Sequence, residues 1–368
     1  MSLTPRENLR RCLEFATPER IPRDLWTLPW AEKRYPVELA ALRAEFPSDI
    51  TIAPAAGIPS PLKKGDPYMI GEATDDWGCV FTNIQEGVHG EVKFPLLAGE
   101  YPDPKTIRPP VENIPSDAIE ARDRVNRFCG ATDQFVFAQS LPRPWERYQF
   151  LRGTENSLVD VMTPDKGMAA CLEVIHGHYL RELEFWVTTD VDAVFFMDDW
   201  GSQNQLLIPP LVWREWFKPL YRDYCDLAHA HGKYAFMHSD GHITAVIRDL
   251  AEAGVDALNA QLFVMDMADV AEQVKGKITF WGEIDRQHVL TSSDPQKGRE
   301  AVRKVAEHFY DPRGGVIAQL EFGPGGCPAT VWAVYEEWRS ICSEPRLVRS
   351  SFSEGGTLNP SSTGEAII

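Results

Sequence analysis

The chain has 368 residues, and its 54 acidic against 37 basic side chains give a formal net charge of −17 at pH 7. Nothing in that balance supplies the basic footprint that phosphate binding needs, and it argues against docking on anionic lipid, so nucleic-acid and membrane-surface roles are set aside. No apolar run reaches the roughly 18 residues of a membrane-crossing helix, the seven cysteines form no C-x-x-C pair, and the start Met1-Ser2-Leu3-Thr4-Pro5 lacks a secretory pattern; the expectation is a cytoplasmic protein with reduced thiols.

Taken in chain order, Pro5 to Phe15 reads as a short amphipathic helix, and Thr17 to Pro22 turns into an extended stretch. Ile50 to Pro104 is rich in Pro, Gly and aromatic residues, which predicts loops and short strands with a hairpin through Trp77–Asn83 and Gly90–Phe94. A regular rhythm then sets in. Apolar runs at 135–138, 193–197, 234–237, 256–259, 278–281 and 315–320 read as buried strands. Helical spacing occupies 168–187, 209–229, 243–253, 267–274, 295–308 and 328–341 between and after them. Gly254 reads as a helix C-cap. Short buried strands alternating with helices, with no change in composition, predict one closed (β/α)8 TIM barrel of the α/β class over residues 1–348, with an N-terminal helical and loop extension. An open doubly wound sheet is the alternative, but no G-x-G-x-x-G loop follows a first strand. Residues 349–368 lack periodicity and read as an irregular tail.

The chemistry is positional. Polar residues follow successive strands: Asp198 and Asp199, then His238 and Asp240, Gln261, Glu283 and Asp285, and finally Glu321 and Cys327. In a parallel barrel the strand C-termini open on one face, so these residues converge. His238, Asp240 and Cys327 are a candidate metal set, because three N, O or S donors with one open position are the pattern of catalytic zinc. The structural alternatives are a histidine satisfied by Asp240 and a cysteine that is a small buried apolar residue. Asp198, Asp199 and Glu283 are candidate catalytic acids or bases, or else caps of the following loops. Of the 11 tryptophans, Trp26, Trp30, Trp77, Trp145, Trp200 and Trp281 fall in predicted loops or at strand ends. Trp26, Trp30, Trp77, Trp200 and Trp281, with Gln261, are the candidate wall for a flat small-molecule substrate, core packing being the alternative.

Several motifs carry a resemblance that spans almost the whole chain: Thr4-Pro5-Arg6-Glu7-Asn8-Leu9, Glu19-Arg20-Ile21-Pro22, Thr74-Asp75-Asp76-Trp77-Gly78, Asp198-Asp199-Trp200-Gly201-Ser202-Gln203, Phe236-Met237-His238-Ser239-Asp240-Gly241, Gly254-Val255-Asp256-Ala257-Leu258-Asn259, Trp281-Gly282-Glu283-Ile284-Asp285 and Gly314-Gly315-Val316-Ile317. The chain resembles the uroporphyrinogen decarboxylase superfamily, in its branch of cobalamin-dependent methyltransferases, which implies a (β/α)8 fold. Where the decarboxylase has an arginine-rich substrate loop, this chain has Arg23-Asp24-Leu25-Trp26-Thr27-Leu28-Pro29-Trp30, which argues against a porphyrin and for an aromatic or apolar substrate. The methyltransferases bind zinc through His-x-Cys and a later Cys. Here Asp240 stands in place of the first Cys, Cys327 matches the later one, and the glutamate that approaches zinc in those relatives falls at Gln261. Fewer thiolates leave zinc a stronger Lewis acid. The resemblance thus implies methyl transfer from a methoxylated or methylated small molecule to a corrinoid on a separate partner protein, since no D-x-H-x-x-G corrinoid motif is present. The alternative is a metal-free decarboxylase or lyase acting on a non-porphyrin acid through Asp198 and His238, and a non-catalytic binding barrel is a third reading. A homodimer through helical surface residues such as Trp213 and Trp216 is a further expectation, set against core packing.

Overall fold

The computed structural model describes residues 2–341, so the expected tail at 349–368 lies outside the described residues. Eight parallel strands build the barrel: β1 (Arg23–Thr27), β2 (Ile50–Ile52), β6 (Phe135–Phe137), β7 (Ala193–Met197), β8 (Tyr234–Ser239), β9 (Ala257–Ala260), β10 (Thr279–Trp281) and β11 (Val316–Phe322). Their order is β1-β11-β10-β9-β8-β7-β6-β2. The ring closes where the Asp49 N–H donates to the Arg23 carbonyl oxygen (2.8 Å), bringing β2 to β1. Runs such as Phe-Val-Phe and Ala-Val-Phe-Phe-Met form these strands because an all-parallel barrel buries both faces of each one. Three shorter strands, β3 (Gly71–Thr74), β4 (Val80–Asn83) and β5 (Glu91–Val92), make an antiparallel sheet in the β2–β6 connection, one strand more than the hairpin the sequence suggests.

Two apolar layers hold the barrel. The inner one includes Phe135, Phe137, Phe236, Trp281 and Ile317 and is plugged at the N-terminal end by Leu9, Cys12 and Leu13 of the first helix, Pro5–Leu13. The Gly315 N–H donates to the Cys12 carbonyl oxygen (3.0 Å) at the start of β11, which ties the plug down. The outer layer lies between strands and helices. Asp117, Asp165, Asp266 and Asp294 each cap a helix by accepting backbone N–H groups of its first turn. Gly254 ends the helix Ile247–Ala253 at φ +104°, as its C-cap reading requires.

Where the elements differ from expectation, a local cause is visible. The 209–229 segment is two helices, Pro210–Trp216 and Lys218–Ala230, broken at Phe217 ahead of Pro219. Trp26 lies within β1, and Trp30 and Trp145 lie in helices (Pro29–Arg34 and Pro144–Arg152) rather than in loops. Trp213 is fully buried and belongs to the core, while Trp216 packs against that core. Among the described residues, no helix is long and apolar enough to cross a membrane.

Candidate metal centre at the barrel mouth

His238 is the next-to-last residue of β8. In register it lies beside Met197 of β7 on one side and Asn259 of β9 on the other. The Asn259 amide nitrogen donates to the Trp281 carbonyl oxygen and to Gln319 Oε1 (2.8 Å), so its oxygen is the atom that faces the imidazole. His238 Nδ1 therefore donates to Asn259 Oδ1 (2.6 Å), and Nε2 points into the mouth. A ring nitrogen fixed by a carbonyl partner, with the other turned outward, is how a protein presents histidine to a metal.

Two loops carry the carboxylates that meet Nε2. The Gly201 N–H donates to the Asp240 carbonyl oxygen (3.0 Å), and the His242 N–H donates to that of Ser202 (2.8 Å), stitching the β7 and β8 loops together. Glycine is needed at the crossing: a Cβ on Gly201 or on Gly241 would lie 2.1 Å from the backbone of the other loop. The Asp240 N–H then donates to Asp199 Oδ1 (2.9 Å). Asp199 Oδ1 and Asp240 Oδ1 each stand 3.5 Å from His238 Nε2. One ligand atom from each of Asp199, His238 and Asp240 lies within 4.8 Å of the other two.

Charge is concentrated around this trio. Burial disfavours the imidazolium, but Asp199, Asp240 and Glu283 outweigh it and push His238 up to about 10. Burial likewise opposes ionisation of Asp199, yet the hydrogen bond and charge of His238 win and hold its carboxyl below the ordinary value. On the other side Arg286 bridges three acids: Asp240 Oδ2 (2.6 Å), Glu321 Oε1 (2.8 Å) and Glu283 Oε1 (3.2 Å). Glu283 is nearly sealed, and burial pushes its carboxyl up to about 8 against the pull of Arg286. A cavity of about 300 Å³ opens here, lined among others by Gln203, Asn204, Gln261, Glu283 and Arg286.

The residues present fit a zinc ion. The donors are one imidazole nitrogen and two carboxylates, all established zinc ligands. Asp240 is anchored through Oδ2 by Arg286, while its buried Oδ1 receives no hydrogen bond and faces Nε2. An unsatisfied buried carboxylate oxygen of this kind is completed by a cation.

The other candidates fall into distinct places. Asp198 is fully buried and accepts from Trp145 N–H (3.0 Å), Glu146 N–H (2.7 Å) and the Tyr221 hydroxyl (2.7 Å), so it caps the helix Pro144–Arg152 instead of facing the mouth. Trp200 is core: it stacks on Trp145 with centroids 5.0 Å apart. Trp281 is buried in the barrel interior, and its indole N–H shares Asp24 Oδ2 with that of Trp26 (3.1 and 3.0 Å). Trp26 does reach the site, its ring 5.5 Å from that of His238. Trp30 packs edge-on against Tyr35 at 5.9 Å. Trp77 is buried beneath the Arg147 guanidinium, 5.0 Å from its ring centre. Gln261 Oε1 accepts from the Gly241 N–H (2.9 Å) and so steadies the β8 loop. Cys327 does not join the trio: its N–H donates to the Leu290 carbonyl oxygen (2.8 Å), it precedes the helix Pro328–Ile341, and among the described residues no three-ligand group includes its sulfur. Asn259 and Arg286 were not among the candidates. The signal for Arg286 was a lone cation following Glu283 and Asp285 at a strand end.

A family model described as Uroporphyrinogen decarboxylase (URO-D) matches residues 137–331. A search of curated proteins gave no match. Among solved structures, the chain is similar to a methyltransferase from Methanosarcina mazei, with a TM-score of 0.66 and 13% identity over 92% of this chain and 99% of that one. It also aligns with a glycosylated endo-β-1,4-xylanase from Gloeophyllum trabeum at a TM-score of 0.41 and 11% identity, over 90% of this chain and 99% of that one, which is too low to carry an argument. The first of these shows a shared (β/α)8 fold along nearly the full described length. The family match covers more than half of the sequence, with Asp199, His238 and Asp240 inside it, and the chain belongs to the uroporphyrinogen decarboxylase family.

Proposed function

We propose that this protein is a zinc-dependent methyltransferase that moves a methyl group from a methoxylated or otherwise methylated small molecule to the corrinoid of a separate partner protein. The observation that carries the reading is the convergence of Asp199, His238 and Asp240 at the open end of the barrel. Family membership and the fold shared with a methyltransferase support it. Asp199 takes the place that the sequence suggested for Cys327 in the ligand set.

Asp199, His238 and Asp240 would hold the zinc ion, which when bound would supply a Lewis acid for the oxygen that the methyl group leaves. The chain's own residues supply position and charge. Asn259 orients His238, the Gly201–Gly241 crossing brings Asp199 beside Asp240, and Arg286 fixes Asp240 so that one oxygen stays free. Glu283, which lines the cavity at the mouth and whose carboxyl burial pushes up to about 8, would give a proton to the departing oxygen. Trp26 lies against His238 and walls the site with an apolar face.

One observation favours a second reading, a metal-free lyase acting on a non-porphyrin acid: Asp199 and Asp240 each stand 3.5 Å from His238 Nε2 and, without an ion, favour an imidazolium at the mouth that would stabilise negative charge on a substrate. Metal analysis of protein purified without added metal separates the two. The proposal expects about one zinc per chain, lost in His238→Ala and retained in Cys327→Ala. Metal-free protein that decarboxylates a carboxylic acid, and gains nothing from zinc, establishes the lyase instead.

A further inference from the structure

Asp24 is buried on β1, and its carboxylate gathers donors at both oxygens. Oδ1 accepts from the Leu25 N–H (3.0 Å) and the Ser48 hydroxyl (2.9 Å). Oδ2 accepts from two indole N–H groups, those of Trp26 (3.0 Å) and Trp281 (3.1 Å). Burial pushes the carboxyl up to about 6 against the pull of these donors, so it is ionised at neutral pH and accepts from all of them.

Both indoles lead to His238, by different routes. The Trp26 ring stands against the imidazole, with centroids 5.5 Å apart and planes tilted by 53°. Trp281 meets Trp26 edge-on at 4.9 Å. The Trp281 carbonyl oxygen accepts from the Asn259 side-chain nitrogen, and Asn259 Oδ1 accepts from His238 Nδ1 (2.6 Å). Asp24, Trp26, His238, Asn259 and Trp281 therefore form a closed loop of contacts drawn from β1, β8, β9 and β10. One arm of the loop holds the imidazole at its ring, the other at its Nδ1 edge, and the two arms join at Asp24.

Packing does not require this carboxylate. Phenyl rings at 26 and 281, with an apolar residue at 24, would fill similar space with no charge to desolvate. What the charge adds is direction. One oxygen that accepts from two indoles fixes the rotation of both rings, which an apolar contact does not.

We propose that Asp24 is a positioning residue for the metal-binding imidazole, setting the orientation of His238 through Trp26 on one side and through Trp281 and Asn259 on the other. The word metal rests on the zinc reading; the control of the imidazole does not.

Zinc affinity of the full chain, read by competition with a chromophoric chelator, tests it in wild type, Asp24→Asn, Trp26→Phe, Trp281→Phe and each Phe variant combined with Asp24→Asn. Asparagine keeps the shape of the side chain but turns an NH2 group against the donors at one end. The expected loss is about 10-fold in Asp24→Asn and about 3-fold in each Phe variant. Neither Phe change should add to the loss in Asp24→Asn, because the arms are already released there. Side-chain nitrogen NMR resonances of His238 in the metal-free chain, assigned by their absence in His238→Ala, should move in the same variants. A merely structural Asp24 lowers the melting temperature and leaves zinc affinity and these resonances unchanged, which overturns the proposal, as do losses that multiply in the double variants. Should Asp24→Asn not fold, the two Phe variants decide, and no effect of either on affinity or resonances is the overturning result. Wild type that binds no zinc, with His238 resonances that still move in Asp24→Asn, removes the metal reading and leaves Asp24 its role.

Discussion

Glu182 lies on the long helix Lys166–Trp186, 8% exposed, and burial pushes its carboxyl up from 4.5 to about 7. A folded-state value above the unfolded one means that the folded chain favours the protonated form. The stability tied to this proton is complete below the unfolded value and is lost as pH rises through about 7. Glu182→Gln, which is never charged, should therefore be more stable than the wild type at pH 8 by on the order of 2–3 kcal/mol, with the gap closing towards pH 4. Urea denaturation at the two pH values checks this; an unchanged difference between them contradicts it. At this same scale the sequence revealed the site in part. His238, Asp240 and Asp199 were visible because each follows an apolar run that had to be a strand. Asn259 was hidden because it stands inside such a run, where the pattern describes burial and not pairing. Cys327 was misleading because four residues separate it from the end of β11, enough for the chain to turn its backbone onto Leu290.

Among the elements, the helix Pro144–Arg152 shows how the site depends on caps. It has no cap from its own N-cap residue, and Asp198 from the end of β7 serves instead, accepting two of its backbone N–H groups and the Tyr221 hydroxyl. Asp198→Ala strands three buried donors and should cost about 2–4 kcal/mol. It should also weaken metal binding through the adjacent Asp199, while Asp198→Asn, which keeps an acceptor, should lose less of both. A melting-temperature series with metal content on the same samples measures it; full stability in Asp198→Ala would show the cap to be idle. The six barrel strands β6 to β11 and the helices after residue 166 were legible because burial on both faces or on one stripe imposes a period, whereas β1 and β2, short and set among prolines and loops, were not singled out. The helices Ala118–Gly130, Pro144–Arg152 and Thr154–Met162 were not. Pro144–Arg152 buries both of its arginines, Arg147 and Arg152, against Asp75 and Asp160, and such paired charges look like surface in a sequence.

For the molecule as a whole, stability and chemistry lie at opposite ends of one barrel. The first helix plugs the N-terminal end with Leu9, Cys12 and Leu13, and Arg6 and Arg10 clamp it to Asp192 (3.1 and 2.6 Å). The trio opens at the strand C-termini. Leu9→Ala should therefore destabilise the fold by about 2–5 kcal/mol and leave metal stoichiometry unchanged in the folded protein, which denaturation together with metal analysis reads directly. A metal site lost along with the plug would mean that the two ends are not independent. The architecture was legible from the alternation of strands and helices, whereas the identity of the third ligand required two loops to cross at Gly201 and Gly241, a contact between residues 40 apart that no local pattern encodes.

The proposed binding of one zinc ion by Asp199, His238 and Asp240 is read directly by anomalous diffraction from crystals of the zinc-loaded protein, recorded on both sides of the zinc absorption edge. A single strong peak within about 2.0–2.2 Å of His238 Nε2 and of an oxygen of each aspartate is the expected result. A peak bound instead by the Cys327 sulfur, or no peak at the mouth in protein that carries zinc elsewhere, would contradict it.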